Sequence, residues 1–150
     1  MKNLFEPARV TEVRERLAKL TPQSERRWGK MTVGQMVAHC AVSFETATGQ
    51  RRSPRLVIGR LLGWAVKPLM LRNDDPLKKN SPTAPEFIMR DDRNLDLERA
   101  RLNASIDRFA SGGPAACTTH PHAFFGSMTP EQWATLMYKH LDHHFRQFGE

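Results

Sequence analysis

His140 and His144 stand four residues apart near the C-terminus, and that spacing is the first piece of chemistry the sequence offers. Positions i and i+4 of a helix lie one above the other on one face, so two imidazoles so placed can aim at a single ion. At about 100° per residue, Trp133, Met137, His140, Leu141, His144 and Phe148 share one side, which turns the pair toward the protein interior. Burying two neutral imidazoles with unpartnered ring nitrogens would cost roughly 1 to 3 kcal/mol each, a cost that a divalent metal removes. The spacing also fits core histidines satisfied by buried polar groups, and a zinc site usually wants a third protein ligand. His39 is the candidate. It is the one histidine outside the C-terminal third of the chain, and it flanks the apolar stripe of its own helix beside Met36. Three protein ligands would leave at least one position for water or substrate, as catalytic sites do. Such a metal could lower the pKa of bound water for hydrolysis or activate a thiol for transfer to an electrophile.

The remaining candidates carry weaker signals. His143 falls at the edge of the last helix's apolar face, and His120 and His122 sit in a loop, so none of the three is expected as a ligand. Cys40 adjoins His39, but a lone helical cysteine reads first as a small buried hydrophobe. Asp142 and Gln147 could accept a ring N–H from a ligating histidine, although either would also suit a helix surface. Glu45 and the loop carboxylates could act as general bases, and no spacing singles one out.

Local signals place these residues on helices. Pro7 to Leu20 reads as a first helix, with Val10, Val13, Leu17 and Leu20 at helical spacing and Thr21-Pro22 as its stop. Thr32-Val33-Gly34-Gln35 has the form of a capping box, flanked by Met31 and Met36, and opens a helix to about Thr48, with Gly49 as its C-terminal cap. Ser53-Pro54 suggests a third helical start, and Pro68 its disruption. The apolar residues of Leu56 to Leu71 surround that segment too fully for an ordinary surface helix, so part of it should cover the bundle or a partner subunit. A long loop from Asn73 to Arg93 should cross one end of the bundle, and Asn94 to Ala110 forms a further helix closed by Gly112-Gly113. Thr129-Pro130-Glu131-Gln132 then starts the last helix, which runs to about Gln147. No segment alternates with period two, which predicts an all-α bundle of four or five helices.

Length and composition bound the rest. At 150 residues the chain fits one domain, 1–150, with a single core. Arg60, Lys67 and Pro68 interrupt its longest apolar stretch, so no membrane span and no membrane partner are expected. The N-terminal residues lack an apolar signal region, which with two unpaired cysteines predicts a cytoplasmic setting. A net charge of +7 would attract anions, but the basic residues are dispersed and no nucleic-acid motif accompanies them, so nucleic acid is not the expected partner. A homodimer through Leu56 to Leu71 stays open.

Trp28-Gly29-Lys30-Met31, Gln35-Met36 with His39, Asn80-Ser81-Pro82-Thr83, Phe124-Phe125-Gly126 and the run His140 to Gly149 closely resemble the DUF1569 family. The resemblance covers nearly the whole chain. It implies membership of the DinB/YfiT-like superfamily, and with it an up-down-down-up four-helix bundle, here with an extra helical segment and long loops. It also implies that His39, His140 and His144 bind zinc or nickel. The implied activity is that of a metal-dependent enzyme on a small molecule, either a transferase using a low-molecular-weight thiol or a hydrolase. Superfamily members commonly follow the second clip histidine with Arg-Gly-Gln, where this chain has Phe145-Arg146-Gln147, so the groups that orient the imidazoles are expected to differ.

Overall fold

Thr32 and Thr129 act as their surroundings dictate. The Thr32 hydroxyl accepts from the Gln35 amide at 3.3 Å while the Gln35 side chain accepts from the Thr32 amide at 3.0 Å, and Thr129 and Gln132 repeat the exchange at 3.2 and 3.0 Å. Each pair satisfies two amides that the first turn of a helix would otherwise leave open. Asn94 does a similar job alone, accepting from Asp96 and Leu97 at 3.0 Å. These caps start three of the five helices in the computed structural model, which describes residues 1–150 and contains no β-strand.

The helices are α1 (Pro7–Lys19), α2 (Val33–Ala47), α3 (Val57–Leu71), α4 (Leu95–Gly112) and α5 (Pro130–Gln147). α2 packs against α4 and α5, and α1 packs against the same two, so four helices close a ring in the order α1, α4, α2, α5. Val13 and Leu17 of α1, Phe44 of α2, Ile106 and Phe109 of α4 and Trp133 of α5 fill its centre almost without exposure. Burying a side chain of this size stabilises by about 1.5–3 kcal/mol, so the ring supplies the rigid frame on which α2 and α5 hold their polar residues. No helix is long and apolar enough to cross a membrane.

α3 departs from the sequence expectation at both ends. The helix begins at Val57, not at Ser53-Pro54, because the Leu56 amide donates to the Ala123 carbonyl at 3.0 Å and holds the preceding residues extended. Ser53 is buried there instead of capping a helix. Pro68 lies inside the helix rather than ending it, since only one short turn follows and little helical bonding is lost. The end of that turn is held from outside: the buried Lys139 ammonium of α5 donates to the Met70 and Asn73 carbonyls at 2.8 and 2.9 Å. Burial pulls the Lys139 pKa down, against the opposing pull of Asp74, Asp75 and Asp142.

Only one face of α3 is covered. Gly59 and Gly63, one turn apart, sit against the backbone of residues 123–125, where a Cβ on Gly63 would come within 2.1 Å of the Phe124 carbonyl oxygen. In an open helix Gly→Ala gains up to about 1 kcal/mol. Here the methyl would meet backbone that cannot yield, so Gly63→Ala is expected to reverse that sign and destabilise by about 1–3 kcal/mol in chemical denaturation. A neutral or stabilising result would show that α3 can slide off residues 123–125 at no cost.

Candidate metal centre

Three histidine rings meet between α2 and α5. The Nε2 atom of His140 lies 2.9 Å from His39 Nε2 and 3.1 Å from His144 Nε2, and the ligand atoms of the three residues all fall within 4.8 Å of one another. His39 and His144 are buried, and His140 keeps partial exposure. The i, i+4 clip on α5 therefore closes with a third ring from a helix about 100 residues away.

Hydrogen bonding fixes how the rings present themselves. The Phe87 carbonyl can only accept, so the His39 Nδ1 2.9 Å away carries the proton and Nε2 is left with its lone pair. On α5 the Gln147 amide nitrogen donates to the Trp28 carbonyl at 2.8 Å, which turns the Gln147 side-chain oxygen toward His144 Nδ1 at 2.9 Å. His144 must then donate from Nδ1 and likewise point a bare Nε2 inward. His140 has one ring hydrogen at neutral charge, so it can donate to one of these lone pairs and must face the other with nothing between. Its own Nδ1 is buried without a protein partner. The cluster is short of protons and rich in lone pairs at one point, which is what a cation satisfies.

Electrostatics act in the same direction. Burial pushes the pKa of all three rings below the ordinary imidazole range, and for His140 and His144 well below it; the neighbouring rings add to the effect on both. The Phe87 carbonyl opposes the shift at His39, and Gln147 opposes it at His144. Neutral rings are the form that binds metal, so the site is set for ligation at pH 7 without first releasing protons.

Gln147 is the acceptor anticipated for a ligating ring, and Asp142 is not. Asp142 instead joins Arg16 at 2.9 Å and Arg146 at 2.8 Å, tying α1 to α5. The Trp28-Gly29 pair is explained by the same relay. Gly29 adopts φ +78°, and a Cβ there would come within 2.5 Å of the Gln147 side-chain nitrogen, so only glycine lets the chain bring the Trp28 carbonyl up to Gln147. Gln147→Leu removes both bonds and is expected to weaken metal binding about 10- to 100-fold with the fold retained, measured by competition with a chromogenic chelator. Unchanged affinity would mean the ring of His144 is held by packing alone.

The other candidates lie outside the cluster. Cys40 is fully buried with its thiol pKa pushed up by desolvation, and Sγ rests 3.8 Å from Met36 Sδ, so it is a core residue. Cys117 is half-buried and its pKa is pushed up to about 11, chiefly by desolvation with help from Glu131. His143 packs its ring 5.6 Å from that of Trp28, over which Lys79 stands at 4.5 Å. His120 approaches the Ser53 carbonyl at 3.3 Å. His122 organises its own loop, with Nδ1 accepting from the Phe124 and Phe125 amides at 3.1 Å. Glu45 is engaged by Arg101, so it is not free to act as a base. Phe87 was not legible as a site residue because its contribution is a backbone carbonyl, delivered by the short turn Pro85–Phe87 in the loop between α3 and α4.

Fold and cluster together define an all-helical protein with a largely buried three-histidine group that could hold a metal ion. Over residues 5–150 the chain matches the family described as a protein of unknown function, DUF1569, and it belongs to that family. No curated protein and no solved structure matches it.

Proposed function

We propose that this protein is a metal-dependent enzyme of the DinB-like superfamily that acts on a small molecule, with zinc or nickel held by Nε2 of His39, His140 and His144. The observation that carries the reading is the convergence of three Nε2 atoms, two of them stripped of hydrogen by the Phe87 and Gln147 acceptors. The residues present suit a borderline ion that favours imidazole nitrogen. Such an ion supplies Lewis acidity, lowering the pKa of a bound water or thiol so that it attacks at neutral pH. The protein's part is to keep the rings neutral and to orient them through Phe87 and Gln147.

The superfamily assignment comes from the sequence resemblance, and a four-helix ring with one histidine of the cluster on α2 and two on α5 supports it. Two free thiols, Cys40 and Cys117, accord with a reducing cytoplasmic setting. Elemental analysis of purified protein, followed by assays pairing low-molecular-weight thiols with electrophiles and by ester hydrolysis, tests the proposal. Stoichiometric zinc or nickel and turnover that disappears on chelation are expected. Folded protein that carries no metal and takes up neither ion would end it.

A further inference from the structure

α3 turns its apolar side to water. With Gly59 and Gly63 seated on residues 123–125, the outward face carries Val57, Leu61 and Trp64 at 75%, 67% and 75% exposure, and Ile58, Leu62 and Leu69 are exposed beside them. Single exposed apolar residues are ordinary, but a contiguous patch along a whole helix marks a surface that meets something. The segment that carries it is basic. From Arg51 to Arg72 the sequence holds six basic residues, Arg51, Arg52, Arg55, Arg60, Lys67 and Arg72, and no acidic one. Arg55, Lys67 and the exposed Arg51 donate to the His122, Ser127 and Glu86 carbonyls, whereas Arg52, Arg60 and Arg72 are exposed without such a bond. Helical spacing sets Arg60 and Lys67 along one border of the apolar face. Acidic residues border only one end of the segment: Asp74 and Asp75 follow Arg72 and are exposed, and Glu131 shares a surface hollow with Lys67 and Arg72, whereas at the other end Glu45 is paired with Arg101 and the positive charge of Arg51, Arg52 and Arg60 predominates.

We infer that α3 is a peripheral membrane anchor that lies flat in the headgroup region of an anionic bilayer. Val57, Leu61 and Trp64 enter the acyl boundary, and the exposed arginines meet lipid phosphates. This departs from the sequence expectation of no membrane partner, which rested on the missing span; a helix of 15 residues lying in the interface has no thickness to cross. A second copy of the chain is the competing occupant, and the charge pattern opposes it. A twofold contact would bring two such basic segments together on chains that each carry +7, whereas anionic headgroups neutralise them. Membrane docking through α3 requires nothing of the metal site.

Flotation of the full-length protein with vesicles tests it, using phosphatidylcholine alone and phosphatidylcholine mixed with phosphatidylglycerol. The protein is expected to float with the mixed vesicles only, to be released by high salt, and to show a blue shift of tryptophan emission that Trp64→Phe removes. Leu61→Glu is expected to lower partitioning by about tenfold or more, since it puts a charge where the face enters lipid. Leu97→Glu on α4, also at an exposed leucine, is the control and leaves binding unchanged. No binding to anionic vesicles, equal binding to neutral ones, or full binding by Leu61→Glu would each overturn the assignment. So would lipid-free self-association in sedimentation that Leu61→Glu abolishes, which would give the face to a second copy.

Discussion

His140→Ala is expected to lower affinity for zinc or nickel by more than about a hundredfold, because loss of even an acceptor behind a ligating ring typically costs 10- to 100-fold. The same position yields a sharper test in metal-free protein. With no ion present, His140 is a ring whose Nδ1 is buried without a partner and whose Nε2 faces two lone pairs. Replacing it with leucine removes the unmet demand of Nδ1 but takes the N–H from the lone pair that it met on His39 or His144, so the two effects oppose and the loss without metal is held to about 1–3 kcal/mol or less. His140→Leu is therefore expected to cost less stability under chelation than it does once zinc is added. Thermal unfolding with and without chelator measures the difference. Equal destabilisation by His140→Leu in both conditions would assign the ring to packing.

Acid is expected to destabilise the protein by about 3 kcal/mol between pH 6.5 and pH 4 through His122 alone, since each tenfold difference in proton affinity between folded and unfolded chain is worth about 1.4 kcal/mol. Desolvation first, and the Arg55 charge second, pull the pKa of this ring from 6.5 to about 4. The folded pKa lies below the unfolded one, so over this window the unfolded chain takes up a proton that the native loop refuses. The contribution is complete above pH 6.5, shrinks as pH falls and is gone near pH 4. The cause is visible in the bonding: Nδ1 accepts from two amides, and protonation would turn that acceptor into a donor. Asparagine keeps an acceptor and does not titrate, so His122→Asn should lose less stability than wild type between about pH 7.5 and 4.5 in urea titrations. Parallel losses in the two proteins would place the acid sensitivity elsewhere.

Signals confined to a few neighbouring residues were legible in the sequence. The Thr32 and Thr129 capping boxes fix helix starts with no help from the rest of the chain, and the four-residue interval of His140 and His144 fixes a shared helix face. The third ring of the cluster, His39, was legible because few histidines compete for the place. What escaped depended on tertiary contacts. Ser53-Pro54 has the chemistry of a helix start, but pairing of Leu56 with Ala123 overrides it. Pro68 has the chemistry of a stop, but α3 carries it one turn before its end. Asp142 and Gln147 both qualify as acceptors by residue type, and only the position of Arg16 on α1 claims one while the Trp28 carbonyl orients the other. A backbone acceptor such as Phe87 has no signature in residue type at all.

The separation of 101 residues between His39 and His140 has a thermodynamic corollary. A denatured chain keeps only the α5 pair close together, so an ion that needs all three rings recognises the native state almost exclusively. Occupancy then feeds directly into resistance to unfolding, adding about 1.4 kcal/mol for each tenfold rise of free ion above its dissociation constant. If the three histidines bind the proposed ion, the durability of this protein is set partly by the supply of free metal in its surroundings.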